Sequence, residues 1–140
     1  MNMTVIDGTD LVLGRLASNV AKRLMNGEQV ELINADGIRR IGSTAGIVQH
    51  YRQKRALQNK GTPEKSPHYS RVPNLFVKRV IRGMVPWKEA RGKKAMKFLR
   101  VYAGNPKNLA NAITFKEFVA DETQKSITVK EICRLLGYNK

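Results

Sequence analysis

The 140-residue chain is poor in several residue types: it has one cysteine, two histidines and five prolines, and aromatics make up only 6%. A single cysteine leaves no disulfide framework, which excludes the small secreted scaffolds that depend on one. Two histidines and one cysteine cannot complete a structural zinc site, and no His/Cys/carboxylate cluster has ligand spacing. No apolar run approaches the ~18 residues of a membrane span, and the opening MNMTVIDGTD does not read as a signal peptide. The expectation is therefore one soluble, intracellular domain spanning residues 1–140. Acidic residues are scarce as well. Eleven Asp and Glu face 26 Lys and Arg, for a formal net charge of +15.

That excess is not spread evenly. Residues 1–48 hold five cations and five acids, whereas residues 49–100 hold fifteen Lys and Arg against only Glu64 and Glu89. A charge that served only solubility would mix both signs along the chain. Concentrated positive charge repels itself until a polyanion neutralises it, and nucleic acid is the polyanion that fits best. A solvated basic face, an acidic protein and an anionic lipid surface are the alternatives.

Hydrophobic spacing gives the scaffold. Thr4 to Asp7 reads as a strand. Leu13, Leu16, Ala17, Val20 and Leu24 recur at three- and four-residue steps, as in an amphipathic helix that Gly27 would cap. Gln29 to Asn34 is a second strand, closing a βαβ unit. Ile38 to Ile41 adds a short extended piece, and Ser43 caps a helix from Thr44 to about Leu57. Residues 59–73 form a long, proline-containing basic loop. From Leu75 to Met84 a helical wheel places Phe76, Val77, Val80, Ile81 and Met84 on one arc and Lys78, Arg79 and Arg82 on the other. Pro86 stops this helix. A second helix is expected from about Lys88, with Ala95, Phe98 and Leu99 inward and Lys93, Lys94, Lys97 and Arg100 outward. Val101–Ala103 would be a strand, and Val129, Ile132, Cys133 and Leu136 mark a last helix. The pattern predicts an α/β fold: a three-layer α/β/α domain around a short, mostly parallel sheet, with basic helical and loop extensions.

Enzymatic readings find little footing. Gly8 and Gly14 are too far apart for a dinucleotide-binding glycine motif. Around Gly92-Lys93, a phosphate-binding loop would need glycine where Trp87 stands and Ser or Thr where Lys94 stands. Cys133 falls in an apolar stripe and reads as a core thiol. No cofactor, metal or small-molecule substrate is expected. The basic segment instead offers arginine forks and lysine point charges for phosphates, with Tyr69 and Trp87 among them able to stack on an unpaired base. Packing against the domain is an equal alternative for Trp87. Gly83, at the edge of its helix's two faces, would admit a closely approaching backbone. Recognition helices, zinc fingers and basic zippers are missing, and so is the aromatic signature of an RNA-recognition motif. The long proline-containing basic loop and the basic helix faces suit an irregular folded RNA better than a regular groove.

Two blocks carry a family resemblance. The first is Gly14-Arg15-Leu16-Ala17-Ser18, Val20-Ala21-Lys22, Gly27 and Ile33-Asn34-Ala35-Asp36. The second runs from Ile81-Arg82-Gly83-Met84-Val85-Pro86 through Arg91-Gly92-Lys93 to Arg100-Val101-Tyr102-Ala103-Gly104-Asn105-Pro106. In this order and spacing they resemble the universal large-subunit ribosomal protein L-thirteen family over about residues 3–106. Trp87-Lys88 and the segment Ile127–Ile132 look like its archaeal and eukaryotic branch, and residues 107–140 are the least family-specific. The resemblance implies a non-catalytic, cytoplasmic constituent of the large ribosomal subunit. Such a protein binds large-subunit ribosomal RNA, sits beside neighbouring ribosomal proteins and joins the particle early. The RNA-binding set expected is Arg52, Lys54, Arg55, Lys60, Tyr69, Arg71, Lys78, Arg79, Arg82, Gly83, Trp87, Lys88, Arg91, Lys93, Lys94, Lys97 and Arg100.

Overall fold

The computed structural model describes residues 2–140. Strand β1 (Met3–Asp7) leads into helix α1 (Leu13–Met25), whose apolar stripe of Leu13, Leu16, Ala17, Val20 and Leu24 is buried along its whole length. Gly27 ends the turn after it at φ +87°, where an L side chain would be strained. Strand β2 (Gln29–Ile33) then returns parallel to β1, with Met3 opposite Gln29 and Asp7 opposite Ile33. Strand β3 (Arg39–Ile41) and helix α2 (Thr44–Ala56) follow, and the Ser43 side chain accepts a hydrogen bond from Gly46 N at the start of α2. After the loop, helix α3 spans Pro73–Met84, helix α4 Ala90–Met96 and strand β4 Leu99–Val101. Strand β5 (Ser126–Thr128) and helix α5 (Val129–Leu135) close the chain.

The main sheet has the order β1-β2-β4, all parallel, and β3 pairs antiparallel with β5 in a separate two-stranded sheet. Beyond β1, Ile113 exchanges backbone hydrogen bonds with Val5 and Asp7, so that edge is covered. Period-two alternation sends Ile6, Val30, Leu32, Leu99 and Val101 into one core with α1, α3 and α5. Each fully buried aliphatic there contributes about 1.5–3 kcal/mol. On the opposite face Val5, Glu31 and Ile33 are also buried, and Lys107 Nζ reaches Glu31 Oε1 at 3.7 Å. The expected three-layer α/β class with a mostly parallel sheet is borne out.

Three local expectations change. Helix α3 begins two residues earlier than predicted, because Pro73 suits the first helical position, where its missing N–H has no partner to lose. Helix α4 is shorter than its periodicity suggested. Phe98 falls in the following turn, and Leu99 and Arg100 belong to β4, where Leu99 pairs with Val30 and Arg100 with Glu31. Pairing with β2 outweighs helical spacing there, so the strand begins at Leu99 rather than Val101, and it ends at Val101 rather than Ala103. Met84, expected inward, is 45% exposed at the end of its helix.

Candidate nucleic-acid interface

Helix α3 positions the basic surface. Phe76, Val77 and Ile81 are buried, which fixes the rotation of the helix and turns Lys78, Arg79 and Arg82 toward its outer side. Arg79 stacks over the Tyr69 ring at 3.7 Å from its centroid, and Arg82 over Trp87 at 4.7 Å. Lys54, from α2, lies 5.4 Å from the Tyr69 ring. These side chains and Gly83 surround a concavity of about 320 Å³ with Tyr51, Phe76 and Val80. Tyr51 and Phe76 meet edge to face at 4.8 Å. Burial, above all, raises the Tyr51 phenol above its ordinary value, although the nearby Arg40 charge pulls it down.

The loop before α3 is tied down by the same cations. Arg55 donates to the Tyr69 carbonyl and Arg79 to the His68 carbonyl. Burial, and then the positive charge of Arg71, hold the Arg55 guanidinium below its usual value. That repulsion reflects positive charge with no carboxylate to absorb it. In the whole 49–100 segment only Arg91 pairs with an acid among the described residues, meeting Glu89 at 2.9 Å.

The expected set is thus partly gathered and partly dispersed. Lys54, Tyr69, Arg79, Arg82, Gly83 and Trp87 share the concavity, with Arg55 adjoining through Tyr69. Lys88, Arg91, Lys93, Lys94 and Lys97 are exposed on and around α4, while Lys78 is half-buried on α3. Lys60 lines a separate depression with Arg55 and His68. Arg52 donates to the Leu135 carbonyl at 3.2 Å, and Arg71 lies beside Gly137, so both sit at the C-terminal end of α5. Arg100 is on β4 and not on the helix with whose cations its spacing had grouped it. Two features escaped sequence reasoning. Arg40 donates to the Tyr51 hydroxyl and lies over its ring at 5.1 Å, a pairing of β3 with α2 that no local pattern signals.

The other is Gly92. A Cβ there would lie 2.0 Å from the Pro86 carbonyl oxygen, so the turn carrying Trp87 closes directly on the α4 backbone. Gly83 differs, because a Cβ at that position meets nothing within 4 Å. Among the described residues, no group of three or more His, Cys, Asp or Glu could hold a metal ion. Burial pushes the Cys133 thiol up to about 12, which leaves it inert as a nucleophile at neutral pH.

The family model described as ribosomal protein L13 matches residues 1–108, which include α1, the α3 cations and the Pro86–Gly92 contact. The chain belongs to this family. Relatives extend the similarity through the C-terminal segment. A large ribosomal subunit protein uL13 of Methanococcoides burtonii is 41% identical over 143 residues, covering 96% of this chain and 98% of that protein. Those of Archaeoglobus fulgidus and Methanocaldococcus jannaschii are 37% and 39% identical, covering 98% and 96% of this chain and 89% and 98% of their own lengths. These relatives are archaeal, in line with the branch that Trp87-Lys88 suggested. The family is one of structural ribosomal proteins and not an enzyme family.

Proposed function

We propose that this chain is a structural constituent of the large ribosomal subunit in the cytoplasm. It binds large-subunit ribosomal RNA through the cationic surface of α2, α3, α4 and their connections, supports early subunit assembly and lies beside other large-subunit proteins. The main contacts are Lys78, Arg79, Arg82, Lys88, Arg91, Lys93, Lys94 and Lys97. Arg52, Lys54, Arg55, Lys60 and Arg71 form a second set, Arg100 adds a peripheral charge, and Gly83, Tyr69 and Trp87 allow close approach and stacking. The observation that carries this reading is the near absence of carboxylate partners among these cations. Fifteen cations occupy residues 49–100, with Glu64 and Glu89 the only acids. Phosphates supply the missing countercharge. Arginine forks bridge two oxygens while lysines screen neighbouring strands, so RNA segments that repel each other can be held together.

The test is sedimentation of extract through a sucrose gradient in high salt, comparing the wild-type chain with Arg82→Ala/Lys94→Ala. Wild type is expected to travel with the large subunit. The double variant should shift toward the top with its melting temperature unchanged. Its binding to large-subunit RNA should lose about 0.7–0.9 of the log–log salt slope per phosphate contact removed. A double variant that sediments like wild type would overturn the residue assignment. Wild-type protein found mainly at the top would favour a free RNA binder instead.

A further inference from the structure

We infer that the concavity between α2, α3 and the turn after α3 receives a single unstacked RNA nucleotide, its base stacking on Trp87 and its phosphate taken by Arg82 and Arg79. This rests on the RNA-binding reading above and deepens it, from a cationic surface to a site for one extruded base.

Three observations converge on it. The space of about 320 Å³ lies at the small end of the ~300–1,000 Å³ typical of small-molecule sites, too confined for a duplex. Its wall combines π faces with cations: Trp87 is 40% exposed, and Tyr69 is half-buried on the same wall. That pairing of flat apolar surface with positive charge matches a nucleotide, which carries a planar base and an anionic phosphate. Finally, both arginines rest on aromatic rings rather than on carboxylates, Arg79 on Tyr69 and Arg82 on Trp87. Both arginines are only half-buried, and a cation–π contact still open to water is weak enough for a phosphate to replace. The Arg82 guanidinium can therefore move from ring to phosphate while the base takes its place on Trp87, and Arg79, held by Tyr69 and the His68 carbonyl, offers its remaining N–H groups to the same phosphate. Gly83, open on its outer side, lets the RNA backbone pass without a clash. A regular helix offers no free base to such a site, so the ligand is a bulged or looped-out nucleotide.

The experiment compares three RNA hairpins of equal sequence elsewhere: one with a single bulged nucleotide, one with an abasic residue in the bulge, and one fully paired. Binding to the full chain is measured across a salt series. The bulged hairpin should bind about tenfold more tightly than either control, as expected of one base stacked on an aromatic side chain. Trp87→Ala should abolish that preference while keeping the salt slope, and Trp87→Phe should restore most of it. Trp87 is the only tryptophan, so its fluorescence in the wild type reports base arrival directly. Equal affinity for bulged and abasic hairpins would overturn the inference, since backbone flexibility alone would then explain the preference. Equal, salt-dependent binding of all three would overturn it while leaving the RNA-binding reading intact. No salt-dependent binding to any of them would overturn both.

Discussion

The first 48 residues and the next 52 treat positive charge in opposite ways. In the first region cations and acids are equal in number, and the structure pairs Arg23 with Glu28 at 3.1 Å and Arg39 with Asp10 at 2.9 Å. In the second, Arg79 and Arg82 lie on aromatic rings and Arg55 donates to a backbone carbonyl. A carboxylate neutralises the cation it holds, whereas a ring or a carbonyl only orients it. One region therefore balances its cations with an equal number of acids and pairs two of them directly, while the other keeps its charge available for a partner. Stability and binding should rest on different side chains: the buried core that both regions share, and the unpaired cations of the second.

The strongest way to break that separation is to attack the shared core where the first region contributes to it. Leu16 is fully buried on α1, so Leu16→Ala should cost about 2–5 kcal/mol in urea unfolding. The salt slope for RNA binding of the folded protein should not change. If it does, the core and the cationic surface are coupled, and the division fails. A smaller effect, of opposite sign, is expected in the second region. Gly83→Ala adds a side chain that meets nothing in the protein, and should raise thermal stability by up to about 1 kcal/mol. RNA affinity should fall at the same time. A gain in stability with unchanged affinity would show that the RNA backbone does not pass close to this position.

The smallest effect comes from Asp7. Burial raises its carboxyl, but hydrogen bonds from Thr9 N, the Asn34 amide and the Thr9 hydroxyl together outweigh that and hold it below its ordinary 3.8. Its folded pKa is thus lower than its unfolded one. The stability it contributes is fully present above the unfolded value and is lost as pH falls through the folded one. Asp7→Asn should flatten the acid limb of the stability–pH profile below about pH 4, modestly because the site is partly solvated. The second region, with fifteen cations against two acids, should keep its cationic character over the same range.

The sequence makes the first region more legible than the second. The stripe Leu13–Leu24 and the strands beside it follow from local periodicity, and α1 buries the residues it was expected to bury. Charge asymmetry likewise located the cationic surface. The concavity could not be read, because Tyr51, Tyr69 and Trp87 come from a helix, a loop and a turn that only the tertiary fold brings together. Arg100 shows the same limit from the other side. Its spacing placed it with the cations of α4, yet the backbone pairing of β4 with β2, which sets it in register with Glu31, draws it into the sheet. Strand pairing depends on a partner nearly seventy residues away, and no local pattern carries that information.

The contact of Gly92 with Pro86 has a consequence for how this surface can diverge. The backbone itself closes that turn, so the approach of α4 to the end of α3 does not depend on any side chain that drift could trim or enlarge. Lysines and arginines on either helix can then be exchanged, lost or regained one at a time without resetting the distance between them. The turn acts as a gauge block: the charges set against it are replaceable, and the spacing is not.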